Sequence, residues 1–197
     1  MDPRESTLGL PSNPCRDFLS DEHFLRHMIS HHQVAIDMSR EAIDKSNDEF
    51  VRRIAGRIAW QQDYEIAVMT WHLHAASMEQ SIQTRGPAAY NHQSMLAYYE
   101  PASIMPTAEY KCDPLFFDPD AHMDRHQSMG HYSDHMFVMH MIPHHQVAVD
   151  MSHRLLLHSE HIATREIATK IIRDQQLEIR AMNEWLFGAT SGGSSEN

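Results

Sequence analysis

The chain has 197 residues, 16 Lys+Arg against 27 Asp+Glu, and a formal charge of −11. That length is one domain or two small halves, and the acidic balance disfavours nucleic acid and anionic lipid as partners. No run of about 18 apolar residues occurs, so no bilayer-spanning helix is expected, and the opening MDPRESTLGLPSNPC lacks the basic start and apolar core of a signal peptide. Cys15 and Cys112 allow at most one bridge. The unusual counts are 17 His and 14 Met.

Residues 1–19 are expected to be an irregular arm. A repeat begins behind them. FLRHMISHHQVAIDMS at 24–39 returns as FVMHMIPHHQVAVDMS at 137–152, and the offset of 113 holds without a gap from Ser20/Ser133 to His72/Trp185, with 23 of 53 pairs identical. Each copy reads as two helices. The first starts near Ser20-Asp21 or Ser133-Asp134, residues that favour the N-cap, and runs free of glycine to about residue 45 or 158. The second opens near Ser46-x-x-Glu49, a capping-box pattern, and carries Ile54, Ile58, Ile66 and Met69 at helical spacing. Its counterpart carries Ile167, Ile171, Ile179 and Met182.

The segments are thus a first helical-hairpin repeat (20–76), a crossover (77–132), a second hairpin repeat (133–187) and a tail (188–197) expected to be disordered. The crossover holds Pro87, Pro101, Pro106, Pro114 and Pro119, is too long for a simple turn, and is expected to be irregular. Two αα-hairpins supply the four long helices of a single all-α bundle. Pro143 replaces Ser30 inside the first helix of repeat two, where it should kink the helix or start a fresh one.

On a helical wheel His31 shares a face with His27, Met28, Ala35 and Met38, the face a bundle buries. Counting from the turn near residue 47 brings His31 level with Glu65 and Met28 level with Met69; the repeat pairs His144 with Glu178 and Met141 with Met182. A pseudo-twofold axis would gather His31, His144, Glu65 and Glu178, with Gln62 and Gln175 close by and Met28, Met38, Met69, Met141, Met151 and Met182 around them. Methionine at helical spacing is ordinary core filler, and Glu65 could simply satisfy a buried histidine. Core filling, however, keeps apolar character rather than identity, and here the His, Met and Glu set recurs while Arg40–Lys45 does not. Metal binding is the expectation. Thioether with imidazole selects copper, Cu(I) through Met and Cu(II) through His. Neither HExxH nor paired CxxC supports zinc, and no Glu-x-x-His sits at the core positions of a di-iron bundle.

The crossover adds a second tract, in which His122, Met123, His126, Met129, His131, His135, Met136, Met139 and His140 precede Met141. Such His-rich tracts read as open, exchangeable metal sites, or else as a solvated polar loop. His72, His74 and His92 are further surface candidates. Asp37 and Asp150 are expected on the outer helix surface, and Trp60, Trp71 and Trp185 are expected to pack.

Met-Ile-x-His-His-Gln-x-Ala-x-Asp-Met-Ser, followed by Gln-x-x-Glu-Ile-x-x-Met, resembles the family called domain of unknown function 305, which is related to ferritin-like helical bundles. The resemblance covers both repeats and leaves residues 77–130 aside. It implies a ferritin-like four-helix bundle, and some members bind copper in the periplasm. It also implies, by position, that Met28, His31, His32, Met38, Gln62, Glu65 and Met69, then Met141, His144, His145, Met151, Gln175, Glu178 and Met182, form the site. Family members commonly are exported, which favours a periplasmic or secreted location against the unremarkable N-terminus. The expected function is copper sequestration, resistance or delivery, without catalysis. The alternatives are a ferritin-like dinuclear oxidoreductase and a structural or assembly protein that uses the bundle and crossover as contact surfaces. The metal ion is the expected partner, with a homo-oligomer or assembly partner next to it.

Overall fold

The computed structural model describes residues 19–83, 113–128 and 131–191, with side chains described for all of these except 76–83, 123, 125–128 and 189–191. Five α-helices and a 3₁₀ turn appear among these residues, and no strand: α1 Asp21–Lys45, α2 Glu49–Gln83, the turn Pro114–Phe117, α3 Pro119–Ser128, α4 Asp134–Leu156 and α5 Ile162–Ser191. None of the described helices is long and apolar enough to cross a membrane.

The repeat is visible in the caps. Ser20 Oγ accepts from His23 N and Ser133 Oγ from Met136 N, each at 3.2 Å, so α1 and α4 begin at the same repeat position. The starts of α2 and α5 differ from the Ser46 capping box. Asp48 Oδ1 accepts from Val51 N at 2.9 Å, while Ser46 Oγ accepts from Asp48 N at 3.0 Å and shapes the turn. At the equivalent position His161 Nδ1 accepts from Thr164 N at 3.3 Å. A carboxylate and an imidazole lone pair do the same work, because either satisfies a first-turn N–H.

The four long helices close a ring. α1 packs on α2 and α4, α5 packs on α4 and α2, and each hairpin is an antiparallel pair. Two core clusters fill the interior, one around Val34, Ile58 and Phe137, the other around Phe24, Val147 and Ile171. The repeats are also tied at their ends, where His158 Nε2 bonds Leu19 O at 2.7 Å and Ser159 Oγ donates to Asp21.

Several expectations change here. α4 continues through Pro143 rather than starting afresh there, and the proline withholds the N–H that Met139 O would accept. α5 continues through Gly188 to Ser191, past the expected helical end. Part of the crossover is ordered rather than irregular. Asp113 Oδ1 accepts from Leu115 N and Asp118 Oδ1 from Ala121 N, each at 3.0 Å, starting the 3₁₀ turn and α3, and both elements pack on α1. Trp185 packs, stacking on Phe50 with centroids 6.2 Å apart. Trp60 and Trp71 do not, being 75% and 64% exposed. Each follows a core residue, Ile58 or Met69, by two positions, about 200° round the helix and therefore outward.

Candidate metal centre

Histidine sits at the middle of the bundle. His31, His32, His144 and His145 are all 0% exposed. The two members of each pair face different neighbours, because successive helix residues diverge by about 100° and α1 touches both α2 and α4. His31 faces α4. Its ring stacks on that of His144 with centroids 3.6 Å apart and planes 34° apart. His32 faces α2, where its Nε2 meets Glu65 Oε2 at 2.7 Å; His145 Nε2 meets Glu178 Oε2 at 2.9 Å on α5. The sequence expectation that His31 pairs with Glu65, and His144 with Glu178, is therefore one residue out. Glu65 and Glu178 reach the second histidine of each pair.

Behind each carboxylate stands a cation from the other repeat. Lys170 Nζ lies 2.6 Å from Glu65 Oε1, and Arg57 Nε lies 3.4 Å from Glu178 Oε1. Lys170 and Arg57 are themselves repeat equivalents, so each half lends its cation to the carboxylate of the other. Gln61 and Asp174 are equivalents too, and they bond across the axis, Gln61 Nε2 to Asp174 Oδ2 at 3.0 Å. A pocket of about 190 Å³ between α2 and α5, lined by Tyr64, Glu65, Val68, Glu166, Ile167 and Lys170, brings the surface to Glu65.

The six methionines are buried, none more than 3% exposed, and the core divides them. Met38, Met141 and Met182 belong to one cluster, and Met28, Met69 and Met151 to the other. The offset of 113 maps one trio onto the other. Each trio takes two residues from one repeat and one from its partner repeat. The single ring of methionines expected around the histidines is thus two groups, one in each cluster.

Electrostatics keep the centre uncharged. Burial holds His31 well below its ordinary value, with the neighbouring His32 and His145 imidazoles opposing a second proton there; burial does the same for His144, helped by His31, His145, His122 and His32. His27 is brought down to about 4 by burial and then by His23. Burial pushes Glu65 up, but its hydrogen bonds and attraction to His32 and Lys170 outweigh this and hold it below its usual range. Among the described residues, several polar atoms have no hydrogen-bond partner: both ring nitrogens of His31 and His144, Nδ1 of His32 and His145, the side-chain amides of Gln62 and Gln175, and the hydroxyls of Ser39 and Ser152. Again the set is the same in both repeats. A buried polar atom left so costs about 1–3 kcal/mol, and such atoms in a bundle that also buries six thioethers fit a soft metal ion. Among the described residues no group of three or more His, Cys, Asp or Glu is arranged to hold a metal by itself.

The remaining candidates scatter. His27 is buried with its ring edge on Phe117, and His122 is buried on α3. His140 is half-buried, and His131 and His135 are exposed. The side chains of Met123 and His126, and Met129, His92, Cys15 and Cys112 altogether, lie outside the described residues. His72 lies edge-on to Trp71, and His74 is exposed. The pair the sequence missed is Phe116 and Phe117, which cap the imidazole stack at 5.0 Å from His144 and 5.2 Å from His31. Their signal was two adjacent aromatics between Pro114 and Pro119 in a polar crossover.

A four-helix bundle with a twofold-repeated, buried His/Met centre is the class that fold and site define. The chain belongs to the family described as Domain of unknown function (DUF305), which matches residues 21–186. Among solved structures it is similar to CopM in an Ag-bound form obtained by soaking, with a TM-score of 0.58 and 26% identity over 86% of this chain and 96% of that one. It is similar to the Cu(I)-bound form of CopM, with a TM-score of 0.57 and 27% identity over 87% and 98% of the two chains. The Cu(II)-bound form gives 0.57 and 28% over 86% and 97%. No curated protein sequence matches the chain.

Proposed function

We propose that this protein binds copper as cargo within the bundle and holds it, serving sequestration rather than catalysis. The observation that carries the reading is the pair of repeat-related methionine trios, Met38/Met141/Met182 and Met28/Met69/Met151, buried one in each core cluster of a bundle that also buries imidazole nitrogens without a partner among the described residues. Thioether and neutral imidazole are donors for Cu(I), and imidazole also accepts Cu(II). The likeness to CopM, solved with Cu(I), Cu(II) and silver, supports the same cargo here. Full burial of the donors favours holding over rapid hand-off, because release then requires the bundle to open locally.

The test is Cu(I) titration against a competing chelator, on protein purified without an affinity tag. Leucine at Met38, Met141 and Met182 together keeps the core volume and removes three donors; swaps of this kind usually cost below about 1.5 kcal/mol each. The variant should fold and lose one Cu(I) site while keeping the other. Unchanged binding in the variant sinks the methionine assignment, and no copper binding by the parent protein sinks the proposal. A delivery role instead predicts transfer of the bound ion to chelator within the mixing time.

A further inference from the structure

Glu65 and Glu178 were expected as metal ligands, and their surroundings give them another task. Each carboxylate spends one oxygen on an imidazole Nε2, at 2.7 Å and 2.9 Å, and turns the other to a cation, Lys170 or Arg57. An ionised carboxylate has no proton to give, so the ring nitrogen is the donor: His32 Nε2–H and His145 Nε2–H. At the far side of each ring Nδ1 is buried and has no partner among the described residues. A second N–H there would have no acceptor, so the ring's lone pair occupies that position, pointing into the bundle rather than toward the carboxylate. The arrangement is the same in both repeats, although the cation differs. It is the pattern in which a carboxylate takes the N–H of a ligating histidine, fixing its tautomer and raising its basicity.

We propose that Nδ1 of His32 and Nδ1 of His145 are soft-metal donor atoms, and that Glu65 and Glu178 are positioning residues that hold both rings in the Nε2–H tautomer. The inference rests on the copper reading above and deepens it by naming the ligating atoms. It also makes each site depend on both repeats, since Lys170 braces the Glu65–His32 pair from the second repeat and Arg57 braces the Glu178–His145 pair from the first.

Long-range proton–nitrogen correlation spectra of the full, metal-free, ¹⁵N-labelled chain read the tautomers directly, without any metal. Both rings should show a protonated Nε2 and an unprotonated Nδ1. Silver(I), a redox-inert stand-in for Cu(I), should then shift Nδ1 of both while Nε2 keeps its proton. In Glu65→Gln the side-chain amide can donate to the ring, so His32 should lose its single tautomer. Silver affinity in that half should fall about 10- to 100-fold, with His145 unchanged as an internal control; Glu178→Gln should give the mirror result.

An Nδ1–H tautomer in the metal-free protein overturns the proposal, as does a silver shift at Nε2. So does a Glu65→Gln protein whose His32 keeps both its tautomer and its silver shift, or in which both halves weaken alike. Silver that moves methionine methyl signals but neither Nδ1 refutes the inference and leaves the copper reading standing; silver that moves neither refutes both.

Discussion

Acid should weaken the metal-free bundle in a window set by its buried histidines. His31 and His144 lie in the core with their folded values lowered by burial. A lowered histidine value means that, below about pH 6.5, the unfolded chain binds a proton that the native ring refuses, so stability falls as pH falls. For a ring that stays neutral throughout, the loss between pH 7 and pH 5 is about 2 kcal/mol, hence about 4 kcal/mol for the pair. His27, brought down to about 4 by burial and then by His23, adds in the same direction. Against a typical total of about 5–15 kcal/mol, that is a large fraction. Glu65 and Asp174, whose values are lowered, lose their contribution only as pH falls through their folded values, below the ordinary carboxylate range, so they stay out of this window. Urea unfolding followed by circular dichroism at pH 7, 6 and 5 measures the slope, and a His31→Gln/His144→Gln protein should show a shallower one. Stability that is flat across this range, or equally steep in the double variant, refutes the account of a neutral imidazole stack. Saturating silver should raise the parent's stability without flattening its slope, because bound metal keeps the native rings unprotonated while the unfolded chain still takes up protons as pH falls.

Other consequences are smaller and local. Lys170→Met removes the 2.6 Å partner of buried Glu65 and should cost about 1–2 kcal/mol in urea unfolding; Arg57→Met, at 3.4 Å from Glu178, should cost less, and the reverse order contradicts the geometry. Asp48→Ala deletes both the α2 cap and the acceptor of Trp185 Nε1, 3.3 Å away, for about 1–2 kcal/mol; a thermal midpoint equal to the parent's would discount the cap. Pro143→Ser restores a donor for Met139 O and should stabilise α4 by about 1 kcal/mol or more, as the Ser30 position of repeat one already tolerates; a loss of stability would mean that the proline sets a backbone the site needs.

The repeat, the four long helices and the buried His/Met set were legible because each rests on local sequence: an exact spacing, a cap, an amphipathic period. The His register was not. A wheel assigns one inward stripe to a helix, yet α1 in a closed ring has two neighbours set at a wide angle, so His31 and His32 each address a different partner. One stripe can place only one of them, and counting from the turn gave Glu65 to the wrong one. The division of the methionines failed for a related reason. Met38 lies with Met141 and Met182 rather than with Met28, a choice made by the α1–α4 packing that no single hairpin contains. Trp60 and Trp71 show the opposite error, since residue type favoured burial while their position on α2 turned them outward.

A tandem repeat can break symmetry where a dimer of one repeat cannot, and this chain does so at the axis. Two identical residues facing each other there would be two carboxylates or two amides; Gln61 and Asp174 are instead donor and acceptor. The difference spreads to the carboxylates. Glu65 Oε1 receives Lys170 at 2.6 Å and Gln61 at 3.4 Å, whereas Glu178 Oε1 has Arg57 at 3.4 Å and, among the described residues, no hydrogen bond. Although the Glu65–His32 contact is the shorter, 2.7 Å against 2.9 Å, the less neutralised carboxylate is the stronger base toward its imidazole N–H, which makes the opposite nitrogen the better donor. His145 should therefore take metal before His32. With half an equivalent of silver per site, the His145 ring signals should shift first, and Lys170→Met should narrow the gap by removing the cation 2.6 Å from Glu65 Oε1. Simultaneous loading, or His32 first, would show that the methionine trios rather than the carboxylates set the order.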